Sequence, residues 1–243
     1  MKKPIPYYED KEAGLVQYHG DAREILPQLE AESISLLLTD PPYGQKYLTG
    51  RRAKFDPLRK PINGDHDLSL LRQVLPLVDR VMKNNTASYV FSSPKPLLLV
   101  ENIQIISDQW CAKNVLVWNK GDAGTGGDLD AGYSVNWEAI IYAHKGRRAF
   151  EGMRPLSLML HPWSGKYDPV HPAVKPIGLL EQFIKSSSVV GDVVLDCFAG
   201  SGTSLVAAKH QGRRAIGIEI DKEYCERTVA RLRGSEEVLS DAA

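Results

Sequence analysis

Val193-Val-Leu-Asp-Cys-Phe-Ala-Gly-Ser-Gly-Thr-Ser204 runs from an apolar segment through a glycine turn into a helical pattern. Residues 193–195 read as a buried strand and 202–211 as a helix. Gly200 and Gly202 let the backbone turn sharply and approach a ligand at the carboxyl end of the strand. Ala215-Ile-Gly-Ile-Glu219 follows as a second strand ending on an acid, which can accept both ribose hydroxyls of a nucleoside. A triphosphate loop needs Gly-Lys-Ser/Thr, whereas here Thr203 follows Gly202 directly. A dinucleotide loop needs a third glycine where Leu205 stands. A nucleoside sulfonium needs no pyrophosphate cradle and favours carboxylates, and Asp196 is suited to its ammonium. A plain strand–helix turn with no ligand also accounts for the glycines when they are taken alone.

Around this stretch strands and helices alternate. Residues 177–186 and 222–232 have helical spacing. Towards the amino end, 15–19 reads as a strand and Asp21 as the N-cap of a helix with Glu24 three residues on. Residues 33–39 (SISLLLT) read as a buried parallel strand, 68–82 as a helix, 87–91 as a strand and 97–106 as a helix. Strands follow at 115–118 and 139–143. Such alternation predicts an α/β fold with a doubly wound, mostly parallel sheet covered on both faces. Residues 1–14 read as a loosely held arm, and 44–66 and 121–170 as loops or insertions of a single domain spanning 1–243.

The strand over 33–39 stops at Asp40-Pro41-Pro42-Tyr43. Two prolines remove backbone donors and stiffen the turn, so it presents acceptors. That suits a substrate with N–H bonds to give, such as the exocyclic amino group of adenine or cytosine. With Asp40 and the Pro41 carbonyl each accepting one N–H, the nitrogen moves towards sp³ and frees its lone pair for a methyl group. Tyr43 offers a face for a base extruded from a duplex. A proline turn that merely ends a strand is the plainer reading of these residues in isolation.

Bulk properties exclude several classes. The 243 residues have a formal net charge of zero, so nucleic-acid binding has to come from local basic patches. Cys111, Cys197 and Cys225 are widely spaced, which predicts neither a zinc site nor a disulfide framework but small buried side chains in a reducing cytoplasm. No stretch is long and apolar enough to span a membrane, and no signal peptide is evident.

The order of these blocks resembles that of the permuted, β-class amino-methyltransferases of DNA, in which the catalytic motif precedes the cofactor motif. The resemblance rests on Gly20-Asp21-Ala22, Asp40-Pro-Pro-Tyr43, His171-Pro-Ala-Val-Lys175-Pro176, Asp196 through Thr203 and Glu219, with Trp118-Asn-Lys120 and Trp137-Glu138 between them. Cys197 departs from the family's usual proline. The resemblance implies a seven-stranded Rossmann-like fold, S-adenosyl-L-methionine as cofactor and double-stranded DNA as partner. It implies cofactor contacts from Asp21, Ala22, Lys175, Asp196, Phe198, Ala199, Gly200, Ser201, Gly202, Thr203, Glu219 and Ile220. The Asp-Pro-Pro-Tyr spelling usually accompanies adenine N6, and Ser-Pro-Pro-Tyr cytosine N4. The family often forms homodimers, and some members accompany a cognate restriction endonuclease.

For DNA contact the candidates are Arg51, Arg52, Lys54 and Lys60, in the basic loop after Tyr43, and Arg147 and Arg148 in the second irregular region. Arg227, Arg231 and Arg233 alternate with acids and read as a solvent face. Rival readings are a methyltransferase for a protein or RNA amine, a silent DNA-binding subunit, and a nicotinamide dehydrogenase. Asp40 and the motif order speak against the first, the two intact motifs against the second, and Leu205 against the third.

Overall fold

The computed structural model describes residues 3–43, 67–122, 130–162 and 174–234. At its centre lies β3 (Ile34–Thr39), all six of whose residues are buried. A strand buried on both faces leaves little room for polar alternation, and apart from Ser35 and Thr39 its residues are apolar. On one side β3 pairs in parallel with β8 (Val193–Asp196), through Leu36 opposite Val194 and Leu37 opposite Leu195. On the other it pairs in parallel with β4 (Met82–Ser92).

The remaining strands are β1 (Tyr8–Asp10), β2 (Leu15–His19), β5 (Cys111–Asn119), β6 (Trp137–Lys145), β7 (Leu158–Leu160) and β9 (Arg214–Glu219). The sheet has nine strands in the order β1-β2-β9-β8-β3-β4-β6-β5-β7. From β2 to β4 it is parallel throughout. β6 runs antiparallel to both neighbours and β1 antiparallel to β2. The seven expected strands form the body of this sheet, and two three-residue strands are added at its edges. One of these, β1, pairs part of what the sequence suggested was a loose arm. The other, β7, pairs with β5 in the region read as irregular.

Two layers of helices cover the sheet. α1 (Ala22–Ile25), α2 (Ser69–Val81) and α3 (Pro96–Ser107) pack on one face with Leu37, Val90, Ile141 and Leu195. α4 (Ile177–Ser187), α5 (Thr203–His210) and α6 (Lys222–Arg233) pack on the other with Leu36, Leu38, Tyr89 and Val194. Neighbouring residues of one strand thus feed opposite cores, as period-two geometry requires. The handedness of the crossovers explains the division. β3 passes through α2 to β4 on one side, β8 passes through α5 to β9 on the other, and right-handed connections in opposite directions put their helices on opposite faces. No helix among the described residues is long and apolar enough to cross a membrane.

Candidate active site

The boundary between β3 and β8 is where the sheet's connections diverge, and in open α/β sheets ligands bind at the carboxyl ends of the strands at such a boundary. Here the two loops singled out in the sequence lie side by side. The Thr39 hydroxyl donates to Asp196 Oδ1 at 2.8 Å, joining residues 157 positions apart.

Asp196 is buried and acts as a bracket. Its Oδ1 also accepts the Phe198 amide at 3.1 Å, and its Oδ2 accepts the Ser204 hydroxyl at 2.5 Å. It therefore ties together β3, the glycine loop and the first turn of α5. Burial pushes its carboxyl up to about 6, against the pull of these donors, and no cation pairs with it among the described residues. Cys197 is buried beside it, 3.5 Å from Thr39 Oγ1, and burial pushes its thiol up to about 12, which suits a packing role. Cys225 is likewise buried, but Cys111 is exposed, contrary to the expectation for all three.

In the glycine loop the Gly200 amide donates to Glu219 Oε2 at 2.8 Å, and the Asp221 amide to Glu219 Oε1 at 2.8 Å. Glu219 thus sits at the end of β9 against the loop, its carboxyl raised by burial, and Ile220 beside it is 47% exposed. Ala199, Ser201 and Thr203 are buried and Phe198 is half-buried. Gly202 caps α5 at φ 78°, a left-handed conformation, and a Cβ there would collide with Thr228. We expect Gly202→Ala to combine overpacking with backbone strain, at a cost of about 2–4 kcal/mol. That corresponds to a Tm lowered by roughly 5–15 °C. An unchanged melting curve would contradict this turn.

The loop has a support that the sequence did not reveal. Arg231 Nη1 donates to Ser201 O at 2.9 Å, Ser201 Oγ at 3.2 Å and Thr203 Oγ1 at 3.0 Å. Of the expected solvent face of α6, Arg231 is corrected, since it reaches back to the loop, whereas Arg233 is exposed, its guanidinium 5.2 Å from the Tyr8 ring centre. Asp21 caps α1 and lies at the same rim, since the Gly20 amide before it donates to Glu219 O at 2.9 Å. Its carboxylate is gripped by the Arg23 side chain, which holds it below the usual carboxylate range. Ala22, next to it, is buried.

At the end of β3, Pro41 is buried, while Pro42 and Tyr43 are half-buried. Asp40 Oδ1 accepts the Tyr43 hydroxyl. Asp40 Oδ2 accepts Lys175 Nζ at 2.5 Å, so Lys175, expected at the cofactor, is paired with the catalytic motif. Lys175 also lies 3.2 Å from Glu138 Oε2, and Glu138 Oε1 accepts Lys120 Nζ at 2.5 Å. Burial pushes the Asp40 carboxyl up, opposed by Lys175. Burial would also raise Glu138, but the two lysines outweigh it and hold the group low. Burial works to lower Lys175, yet Asp40 and Glu138 keep it well above the ordinary lysine value and therefore charged. Glu138 and Lys120 were quoted in the sequence only as part of a pattern. The available signal was a glutamate at the start of an otherwise apolar strand, because such a charge is seldom buried without a partner.

The basic candidates divide. Arg51, Arg52, Lys54 and Lys60 lie outside the described residues. Arg147 and Arg148 follow Lys145 at the end of β6, which pairs with Thr86 near the start of β4, so both lie towards the rim opposite Asp40. Antiparallel β6 begins beside the site and carries the chain away from it. Arg148 there bonds Glu151 at 2.7 Å.

A family model described as DNA methylase matches residues 157–230. The chain is 31% identical to the DNA adenine methyltransferase YhdJ of Escherichia coli, over 88% of this chain and 81% of that one. Among solved structures it resembles the M1.HpyAVI–SAM complex, with TM-score 0.62, 22% identity and coverage of 88% and 97%. It also resembles the cytosine-N4-specific PvuII DNA methyltransferase, with TM-score 0.75, 19% identity and coverage of 98% and 92%. At those identities the structures attest the fold alone. Identity and coverage against the Escherichia coli relative go further, and by them the chain belongs to the DNA methylase family.

Proposed function

We propose that this protein transfers a methyl group from S-adenosyl-L-methionine to an exocyclic amino nitrogen of double-stranded DNA, with adenine N6 as the acceptor. The observation that carries the reading is the Thr39–Asp196 hydrogen bond of 2.8 Å, which sets an acceptor-rich turn beside a nucleoside-type loop.

The residues present fit the cofactor. Asp196 is a buried carboxylate lacking a cation among the described residues, and a methionine ammonium would supply one. Each Glu219 oxygen accepts one amide and keeps lone pairs for ribose hydroxyls. Ile220, Asp21 and Ala22 would hold the cofactor's adenine, and Phe198 through Thr203 would line its nucleoside. Bound there, the cofactor supplies an electrophilic methyl on sulfur.

The chain's own contribution is orientation and charge. Ionised Asp40 and the Pro41 carbonyl accept the two amino N–H bonds, Tyr43 stacks on the flipped base, and the prolines keep the turn rigid. Lys175 favours the charged form of Asp40, which is the form that can accept. Arg51, Arg52, Lys54 and Lys60 follow Tyr43 in the sequence, and phosphate contact is their proposed role.

Incubation with methyl-tritiated donor and plasmid DNA, followed by nucleoside analysis, tests this. We expect label in N6-methyladenine. Label in N4-methylcytosine would overturn the acceptor, and label confined to protein or RNA would overturn the substrate class.

A further inference from the structure

Lys175 is a single buried ammonium between two carboxylates. Its side chain is 8% exposed, and its Nζ lies 2.5 Å from Asp40 Oδ2 and 3.2 Å from Glu138 Oε2. The two contacts are unequal. The Asp40 contact is a hydrogen bond, whereas Glu138 Oε2 is buried and makes no hydrogen bond. The other Glu138 oxygen is fixed by Lys120, whose own position over the Trp118 ring, 4.8 Å from its centre, limits its movement. A buried acceptor without a hydrogen bond is costly to keep, and one held 3.2 Å from a cation is poised to receive it.

Asp40 presents the complementary difficulty. Tyr43 donates to Oδ1 and Lys175 to Oδ2, so each Asp40 oxygen already accepts one bond, and an amino N–H aimed at Oδ2 has to share it with a charged donor 2.5 Å away. We infer that Glu138 is a positioning residue for methyl transfer, drawing Lys175 off Asp40 Oδ2 into a closer contact with its own Oε2 when a substrate amino group arrives. The inference rests on the methyl-transfer reading above. Lys175 keeps its charge in both positions and stays near Asp40, so the carboxylate remains ionised while its oxygen is vacated. No proton is transferred and no bond to carbon changes in this step.

The titratable and charged groups facing Asp40 are the neutral Tyr43 phenol from its own loop, Lys175 before α4, Glu138 on β6 with Lys120 after β5 behind it, and Asp196 on β8. Two substitutions at the Glu138–Lys120 pair therefore act in opposite senses. Glu138→Gln leaves Lys175 bound to Asp40 alone. It should lower kcat about ten-fold or more and move the acid limb of the kcat profile down by about half a pH unit. Lys120→Met leaves Glu138 with more unbalanced charge and pulls Lys175 towards it. It should move the acid limb up by a similar amount. Both variants should retain the donor Kd of the wild type.

The measurement is kcat against pH on duplex DNA for wild type and both variants, with donor Kd and Tm alongside. A loss of about ten-fold or more in kcat on the pH-independent plateau for Glu138→Gln, together with opposite displacements of the acid limb, supports the exchange. Displacement in one common direction, or none, overturns it and leaves the pair a stabilising contact. If Glu138→Gln fails to bind donor, the direction of the Lys120→Met limb decides alone. Wild-type protein that methylates no DNA refutes the methyl-transfer reading itself, an outcome distinct from an active enzyme whose variants shift together.

Discussion

Asp40→Ala should abolish methyl transfer while leaving donor binding nearly intact. The substitution removes the acceptor that aligns the amino nitrogen, and loss of one such preorganised group typically lowers kcat by about 10²–10³-fold. It also strands Lys175, whose hydrogen bond to Asp40 is 2.5 Å long and whose charge would then be held by Glu138 alone. The combined loss should therefore reach at least about 10³-fold in kcat. The donor loop is built on different groups. Gly200 and Asp221 hold Glu219, and Phe198 and Ser204 hold Asp196. Donor Kd by calorimetry should therefore change by less than about three-fold, or 0.65 kcal/mol. Single-turnover labelling of duplex DNA measures the first quantity. A variant that loses donor affinity as severely as turnover would mean that the two loops are one site and Asp40 has no distinct task.

Asp196→Asn should do the reverse to binding and should also make the fold more stable. Its carboxyl titrates at about 6 when folded, against an ordinary 3.8, because it is buried with no cation beside it. A raised folded pKa means that the stability contributed by this group is complete below about 3.8 and is lost as pH rises through about 6. Above that, the buried charge costs roughly 3 kcal/mol. Asparagine keeps the shape and the acceptor for Thr39 and Phe198 but removes the charge. The bond from Ser204 has to reverse, which offsets part of the gain. At pH 8 Tm should rise by a few degrees, and at about pH 3.5, below both values, the difference should nearly vanish. The same change removes the partner proposed for the methionine ammonium, a charge-assisted contact of about 1.5–3 kcal/mol, so donor Kd should weaken roughly 10–150-fold. Scanning calorimetry at the two pH values checks the first claim. A variant that melts lower at pH 8 would show that the Asp196 hydrogen bonds outweigh its burial.

The central elements were legible because burial on both faces leaves little freedom. β3 is apolar at nearly every position, and β8 leads straight into its glycine turn, so residue type alone gave strand, turn and partner motif. β1 and β7 were not legible, because three residues at a sheet edge carry no usable periodicity and are strands only by virtue of their neighbours. The site divides in the same way. Asp40, Tyr43, Asp196 and Glu219 stand in local motifs. Glu138, Lys120 and Arg231 function through contacts across the fold, and nothing near them in the chain reveals the partner. The distance of Arg147 and Arg148 from Asp40 depends on β6 being antiparallel, a matter of sheet topology that no local motif carries.

The Thr39–Asp196 bond has a consequence for biosynthesis. Its two ends are 157 residues apart, so at about 5–20 residues per second the ribosome completes one roughly 8–30 s before the other. Throughout that interval β3 lacks β8, and its apolar edge is an open template for other chains. Nascent protein is therefore inert as a catalyst but vulnerable to aggregation, and slowing translation between the two motifs should reduce the soluble yield rather than improve it.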